Sequence, residues 1–146
     1  MTHWGMVVDL KRCIGCYGCI IACKSENGTP KGIFWAKVLE REEGKYPNVH
    51  RFFLPIRCNH CLNAPCVDVS PTGATYIRDK DNLVLMDQGK CMGCEACVIA
   101  CPYDARYLYK HEEGYFGDGV TPYEAVTYQR HKAGTAQKCT FCAHRI

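Results

Sequence analysis

Residues 91–102 read CMGCEACVIACP, in which four cysteines follow the spacing C-x2-C-x2-C-x3-C and a proline comes next. The same spacing occurs at residues 13–23, CIGCYGCIIAC, so that all four cysteines recur at a constant offset of 78 residues. Gly15 and Gly93 hold equivalent positions in the two copies. The chain therefore contains an internal repeat, and we expect each copy to form one supersecondary unit.

Each copy is predicted to place a short strand before its cysteine loop and a short helix after it. Apolar runs at residues 6–8 and 83–85 predict the two strands. The helices are predicted at residues 19–24 and 97–102, where the proline ends the second helix. Each repeat should thus present three cysteines on a loop and a fourth on a helix.

Two further cysteine groups lie outside the repeat. One is CNHCLNAPC at residues 58–66, with Ser70 and Pro71 standing where a fourth cysteine and its proline are expected. The other is CTFC at residues 139–142. The 146 residues include 13 cysteines but only 30 Leu, Ile, Val and Phe, so we expect the cysteines to help apolar packing stabilise the fold.

The spacing of the repeat is typical of iron–sulfur ligands. A cubic cluster has four iron corners that each bind a thiolate, and two-residue spacing lets one loop reach three corners. In bacterial runs of this kind the fourth cysteine ligates the neighbouring cluster. The sequence therefore predicts clusters in pairs.

Three other interpretations use the cysteines differently. Disulfides favour an even number of cysteines and an oxidising compartment, whereas this chain has 13 and we expect no export signal at its start. Zinc knuckles fit residues 58–66 and 139–142 taken alone, but not the doubled C-x2-C-x2-C-x3-C motif. Scattered structural thiols do not explain a motif that recurs in register.

Composition and motifs exclude several function classes. The net charge of +3, spread along the chain, argues against a nucleic-acid partner. The longest apolar runs, such as residues 19–23 and 96–101, are too short to cross a bilayer. The sequence has no G-x-S-x-G elbow, Walker loop or dinucleotide fingerprint, so we predict no catalytic residues.

Two segments separate the cysteine groups. Residues 25–57 contain strand-like runs at 33–40 and 49–56, which predict a β-hairpin that shields a cluster. Residues 109–137 are rich in glycine, tyrosine and charge, and are too long for an ordinary connector. We expect this second segment to be a loop that contacts a partner subunit through its aromatic residues Tyr115, Phe116, Tyr123 and Tyr128.

The motifs together resemble a known family. They are GMVVDLKRCIGCYGCIIACK at residues 5–24, CNHCLNAPC at 58–66, PTGA at 71–74, KCMGCEACVIACPYDAR at 90–106 and KCTFCAHR at 138–145. The chain is similar to the four-cluster ferredoxin-type iron–sulfur subunits of molybdopterin oxidoreductases, which include polysulfide, thiosulfate, dimethyl sulfoxide, tetrathionate and respiratory arsenate reductases. The resemblance implies an electron-transfer subunit of anaerobic respiration.

The resemblance implies an α+β fold of two bacterial-ferredoxin-like modules with a hairpin insertion. Module one would combine residues 1–24 with 138–146, and module two would cover 58–108. The hairpin insertion would be residues 25–57, and the partner-facing loop 109–137. Because family members carry more cluster cysteines than the 13 here, we expect module one to be incomplete and the chain to be a fragment.

The resemblance also assigns all thirteen cysteines as iron ligands of up to four [4Fe-4S] clusters, named here A to D. Clusters C and D would each lack one ligand. The implied sets are Cys58, Cys61, Cys66 and Cys101 for cluster A; Cys91, Cys94, Cys97 and Ser70 for cluster B; Cys13, Cys16 and Cys19 for cluster C; and Cys23, Cys139 and Cys142 for cluster D.

Ser70 is the informative departure from the family pattern. A serine oxygen is a harder ligand than a thiolate, so cluster B is expected to be serine-ligated, water-ligated or a three-iron [3Fe-4S] cluster. An open iron at cluster B would also allow an alternative function, that of an enzyme using the iron as a Lewis acid.

By resemblance, the partners are a molybdenum or tungsten bis-pterin catalytic subunit and an integral membrane quinone-binding subunit. The chain would be peripheral on that membrane complex, with a periplasmic position by co-export with a signal-bearing subunit favoured over a cytoplasmic one. His60 is expected to contact the ligands from behind or to face a partner, and His144 and Arg145 resemble a family feature near a cluster. Solvated side chains are expected at the loop edges for Lys11, Arg12, Lys24, Lys90 and Lys138.

Overall fold

The computed structural model describes residues 3–117 and 119–146, and within them shows helices and strands too short for any large layer. The elements are α1 (Gly18–Asn27), β1 (Ala36–Lys45), β2 (Asn48–Arg57), α2 (Pro65–Asp68), β3 (Thr75–Arg78), β4 (Leu83–Met86), α3 (Ala96–Ile99), β5 (Arg106–Tyr109), α4 (Pro122–Tyr128) and β6 (Thr135–Lys138). Antiparallel pairs join β1 to β2, β3 to β4 and β5 to β6. The α+β class is therefore confirmed.

The helices of the two repeats differ from the predicted bounds in opposite directions. α1 is longer than residues 19–24 because its end is set by Gly28. This glycine has φ 59° and donates its N–H to Lys24 O at 2.8 Å. α3 is shorter than residues 97–102 because Pro102 disfavours helical backbone at the residue before it.

The strand predicted at residues 6–8 is wrong, whereas residues 83–85 do form β4. β4 pairs with β3 and buries Leu83 and Val84, while Val7 is 95% exposed. An apolar run becomes a strand where a partner supplies hydrogen bonds and a face to cover, and none of the described residues does so for residues 6–8.

β1 and β2 form a long hairpin that lies beside the first cysteine loop. The strands pair from Ala36 with Arg57 to Lys45 with Asn48. A Cβ atom added at Gly15 would lie 2.3 Å from the Phe53 ring, so this strand and the loop are in tight contact. Only glycine fits there.

The buried core contains cysteines as well as apolar side chains. One group of buried residues lies between α2, β4, α3 and β6, and a second group lies between β5 and the last cysteine group. The first consists of Ala64, Cys66, Val84, Cys97 and Ala136, and the second of Ile33, Trp35, Tyr109 and Cys139. Thiols thus occupy positions that aliphatic side chains fill in other small domains.

The segment predicted as a partner-facing loop contains a helix, α4. Thr121 caps its N-terminus: Thr121 Oγ1 accepts from Glu124 N at 3.3 Å, and the Glu124 carboxylate accepts from Thr121 N at 2.6 Å. The same carboxylate accepts from Tyr115 N at 2.8 Å and so fixes the preceding loop. No helix in the described ranges is long and apolar enough to cross a membrane.

Candidate cluster sites

Four thiols from two cysteine groups line one small cavity, called here cavity A. α2 supplies Cys66, and the turn after α3 supplies the thiol from the second repeat. Apolar atoms of Ala64 and Val84 complete the wall. The four thiols are the set that the resemblance assigns to cluster A, namely Cys58, Cys61, Cys66 and Cys101.

A second small cavity, cavity B, is lined by the residues that the resemblance assigns to cluster B. Its polar lining brings Ser70 together with Cys91, Cys94 and Cys97. Ser70 Oγ accepts a hydrogen bond from Thr75 N at 3.3 Å, at the start of β3. The serine therefore lies at the cavity that the family resemblance predicts for it, and its oxygen already accepts one hydrogen bond.

Backbone N–H groups point at several sulfur atoms. Such N–H···S contacts stabilise anionic sulfur and are found around iron–sulfur clusters. They run from Ala105 N to Cys101 Sγ (3.4 Å), from Ala136 N to Cys91 Sγ (3.4 Å) and from Phe141 N to Cys139 Sγ (3.3 Å). Soft thiol donors around a cavity, with amides aimed at the sulfur, fit an iron–sulfur cluster.

The four cysteine groups share one turn conformation. In each group the residue immediately before the second cysteine has a positive φ. These residues are Gly15 (φ 68°), His60 (φ 46°), Gly93 (φ 73°) and Phe141 (φ 57°). Glycine marks this position only in the two repeats, so the sequence analysis missed the shared turn at the other two groups.

The remaining ligands are placed unequally. The Cys23 thiol faces Cys139 and Cys142, and burial together with these two thiols raises the pKa of Cys23 to about 11. In contrast, Cys16 and Cys19 are exposed on their loop. The structure therefore brings the cluster D residues together.

Among residues 3–117 and 119–146, no three His, Cys, Asp or Glu side chains are arranged to hold a single metal ion.

His60 hydrogen-bonds to the backbone of β4, and its role behind the cluster ligands stays a prediction. Its Nδ1 accepts from Val84 N at 3.1 Å, and its Nε2 is buried without a partner among the described residues. Burial lowers the pKa of His60 to about 3, helped by the charges of Lys138 and Arg106. The ring is therefore neutral, and its proton resides on Nε2.

Two of the flanking cations are not solvated. Lys11, Arg12 and Lys90 are exposed as predicted. Lys24 is half-buried, and its Nζ donates to the carbonyls of Thr29, Pro30 and Ile33 just beyond α1.

The prediction of a solvated Lys138 is wrong. Lys138 is 2% exposed because β6 places it in the interior, where Nζ donates to Cys139 O at 2.7 Å and to Val84 O. Arg106 is equally buried at 2%, and the sequence analysis did not single it out. Its Nη2 donates to Cys66 Sγ at 3.1 Å.

The aromatic residues of the segment before β6 divide into two classes. Phe116 and Tyr123 are 80% and 59% exposed, and Tyr115 is 42% exposed. Tyr128 is only 3% exposed, so its predicted role in partner contact is wrong. It lies on the inner face of α4, where its hydroxyl accepts from Lys31 N at 3.1 Å.

His144 and Arg145 connect the last cysteine group to α1. His144 Nε2 lies 2.7 Å from Glu26 Oε1, and Arg145 Nη2 lies 2.6 Å from Glu26 Oε2. These contacts lower the pKa of Glu26, His144 first and Arg145 second. The two side chains thus link the segment after Cys142 to Glu26 of α1.

Comparisons with known proteins relate the chain to a family of iron–sulfur proteins. Residues 49–117 match the family model of the 4Fe-4S dicluster domain. The chain is 40% identical to a selenate reductase subunit of Mesobacillus selenatarsenatis, over 99% of this chain and 53% of the relative. It is 41% identical to a tetrathionate reductase subunit of Salmonella typhimurium, over 99% and 50%. It is 37% identical to the arsenate respiratory reductase iron–sulfur subunit of Shewanella sp. strain ANA-3, over 97% and 72%. The chain thus spans about half the length of two of these relatives.

Proposed function

Since the chain belongs to the family of iron–sulfur electron-transfer subunits of molybdopterin oxidoreductases, we propose that it relays single electrons along a row of clusters. The observation that carries the proposal is the convergence of four thiols, from two cysteine groups, on cavity A beside cavity B. The expectation of 4Fe-4S cofactors is confirmed by the domain match and by the relatives.

Cavity A supports a crossover arrangement within one module. Cys101 follows the loop that supplies cavity B, yet it lines cavity A. In bacterial ferredoxin runs the fourth cysteine ligates the other cluster of the pair in this way. Cysteines 58, 61, 66 and 101 would hold cluster A, and Ser70 with cysteines 91, 94 and 97 would hold cluster B. We propose the two-module division of the chain, with residues 25–57 as a hairpin insertion, on the same grounds; residues 1 and 2 of module one and residue 118 of the loop lie outside the described residues.

When bound, the clusters supply one-electron oxidation and reduction. The chain's own residues exclude water and fix the sulfur atoms. Ala64 and Val84 line cavity A with apolar atoms. The backbone N–H groups of Ala105 and Ala136 donate hydrogen bonds to the sulfur atoms of Cys101 and Cys91. At cluster A the four thiolates would fill every iron corner and leave none open to a substrate, and we propose that substrate chemistry belongs to a partner.

The proposed partners are a molybdenum or tungsten bis-pterin catalytic subunit and a quinone-binding membrane subunit. The relatives are named as subunits of selenate, tetrathionate and arsenate reductases, which supports a complex of this type. Phe116 and Tyr123 lie exposed near α4 and suit a contact with one of these partners. The chain would be peripheral on the membrane complex, and periplasmic by co-export.

The enzyme alternative gains no support from the comparisons. One relative, from Salmonella typhi, is named as the electron transfer subunit of thiosulfate reductase and is 40% identical over 97% of this chain. An electron relay with substrate chemistry elsewhere therefore accounts for both the cavities and the relatives.

Metal analysis of anaerobically purified protein, counting iron, zinc, molybdenum and tungsten per chain, tests the proposal. We expect roughly eight to sixteen iron atoms, at about four per cluster, with molybdenum or tungsten in the co-purified complex. Stoichiometric zinc without iron would overturn both the cofactor assignment and the relay.

A further inference from the structure

Arg106 lies between the two cavities of the second module. It is the first residue of β5 and is 2% exposed. Its Nη2 donates to Cys66 Sγ at 3.1 Å on cavity A, while Nη1 donates to Thr75 Oγ1 at 3.1 Å. On the other side, its positive charge lies close enough to the Cys97 thiol of cavity B to oppose the rise that burial causes in the pKa of that thiol. One guanidinium therefore contacts a proposed ligand of cluster A and lies near a proposed ligand of cluster B.

Lys138 occupies a matching place between cavity A and the last cysteine group. It is the final residue of β6 and is 2% exposed. Its Nζ donates to Cys139 O at 2.7 Å and to the carbonyl oxygen of Val84, which lines cavity A, and the Cys58 thiol lies close enough for its charge to act on the ammonium. One ammonium thus adjoins the proposed ligands of clusters A and D.

The β5–β6 pairing sets the two cations side by side. Arg106 is the direct cross-strand partner of Lys138 in the antiparallel register. Like charges directly opposite each other destabilise a sheet unless something compensates them. Neither residue has a carboxylate partner among the described ion pairs. The groups around them that gain negative charge are the cysteine sulfurs.

We propose that Arg106 and Lys138 are shared inter-cluster cations, Arg106 stabilising the reduced forms of clusters A and B and Lys138 those of clusters A and D. The inference rests on the proposed function, because it requires clusters at these thiols. In each reduction a cluster gains one electron while no bond forms or breaks. The added negative charge is attracted by the buried cation, so each cation raises two midpoint potentials.

The test is a redox titration of the anaerobically purified full-length complex, followed by electron paramagnetic resonance. Arg106→Gln should lower the midpoint potentials of two clusters, and Lys138→Gln should lower those of two clusters, with one cluster common to both variants. The fourth signal, from cluster C, should stay unchanged. The common signal identifies cluster A. Arg130→Gln, which removes an exposed arginine, is the matched control and should shift none.

Charge-conserving variants separate charge from packing. Arg106→Lys and Lys138→Arg should keep midpoint potentials close to those of the unmodified complex. These variants decide the case if a glutamine variant fails to retain a cluster: unchanged potentials support the proposal, and potentials lowered despite the retained charge overturn it.

The proposal is overturned if the glutamine variants shift no potential, shift one cluster each, or shift all four equally. Failure of the proposed function looks different, since the unmodified protein would then show no iron–sulfur signals at all.

Discussion

Ser70 supplies one oxygen to a cavity that three thiols line. It lies at cavity B with Cys91, Cys94 and Cys97, and its Oγ accepts from Thr75 N at 3.3 Å. A cysteine sulfur at this position would be larger and would be a softer ligand for iron. With a cluster bound as proposed, the hydroxyl would make cluster B chemically distinct from cluster A.

The variant Ser70→Cys should convert cluster B into a fully cysteine-ligated [4Fe-4S] cluster, because it supplies the fourth thiolate. The variant Ser70→Ala, which removes any oxygen ligand, should give a three-iron cluster. Electron paramagnetic resonance and iron counts measure both outcomes. Identical spectra for both variants and the unmodified protein would show that position 70 does not touch the cluster.

Glu124 should make the loop before α4 sensitive to acid. Hydrogen bonds from Thr121 N and Tyr115 N lower the pKa of Glu124 below its usual 4.5. A carboxyl group with a lowered folded pKa binds fewer protons than in the unfolded chain, so its stabilising effect is complete above pH 4.5 and is lost as the pH falls through the folded value. The protection of the Tyr115 amide, which is its intrinsic exchange rate divided by the observed rate at the same pH, should therefore fall in that acid range. Glu124→Gln should abolish this extra pH dependence.

At the residue scale the sequence predicts ligands better than their surroundings. The three cysteines that one group contributes to each cavity follow from spacing along the chain, which covalent geometry fixes locally, whereas the addition of Cys101 to cavity A and of Ser70 to cavity B was implied by the family resemblance. The burial of Arg106 and Lys138 depends on the β5–β6 register, which joins residues far apart in sequence. Spacing carries no information about that pairing, so Lys138 was expected at the surface.

The variant Thr121→Ala should destabilise the protein by about 1 kcal/mol, because it removes the N-cap of α4. The hydroxyl-retaining variant Thr121→Ser should lose only a small part of this. Denaturant unfolding of the cluster-loaded protein measures both. Equal stability of Thr121→Ala and the unmodified chain would mean that α4 does not depend on its cap.

The variant Gly93→Ala should disturb cavity B, because its Cβ would lie 2.4 Å from Gly134 O and its φ is 73°. Gly73→Ala is the matched control: Gly73 has φ 62° but no atom within 4 Å. The backbone conformation alone costs roughly 1–2 kcal/mol, and we expect a larger unfolding penalty for Gly93→Ala. Equal penalties would show that the contact between this loop and the residue preceding β6 yields easily.

The elements show where sequence patterns succeed and fail. The two runs between the first and second cysteine groups do pair as β1 and β2, because turn residues are a local signal, but β1 covers residues 36–45 rather than 33–40. Residues 6–8 fail because a strand needs a partner. α4 was missed although Thr121 and Glu124 form a recognisable capping box with Pro122 next to Thr121, since glycine and tyrosine around it suggested a loop.

Across the whole molecule, stability should depend on the metal. Cys66, Cys97 and Cys139 are buried in the two groups of core residues, where bonds from sulfur to iron would replace apolar contacts. Anaerobic removal of iron with a chelator should therefore lower the melting temperature and broaden the transition, and reconstitution with iron and sulfide should restore it. Calorimetry before and after chelation measures this. An unchanged melting curve after complete iron loss would mean that packing alone supports the core.

The amides that point at sulfur have a consequence for speed. Ala105 N and Ala136 N, at the two cavities, belong to backbone that β5 and β6 hold in place. Dipoles fixed in this way do not rotate when charge arrives, unlike the water molecules around an exposed ion. With the proposed clusters in cavities A and B, the reorganisation energy of an electron hop between them should therefore be small, so that an electron would cross with little nuclear motion.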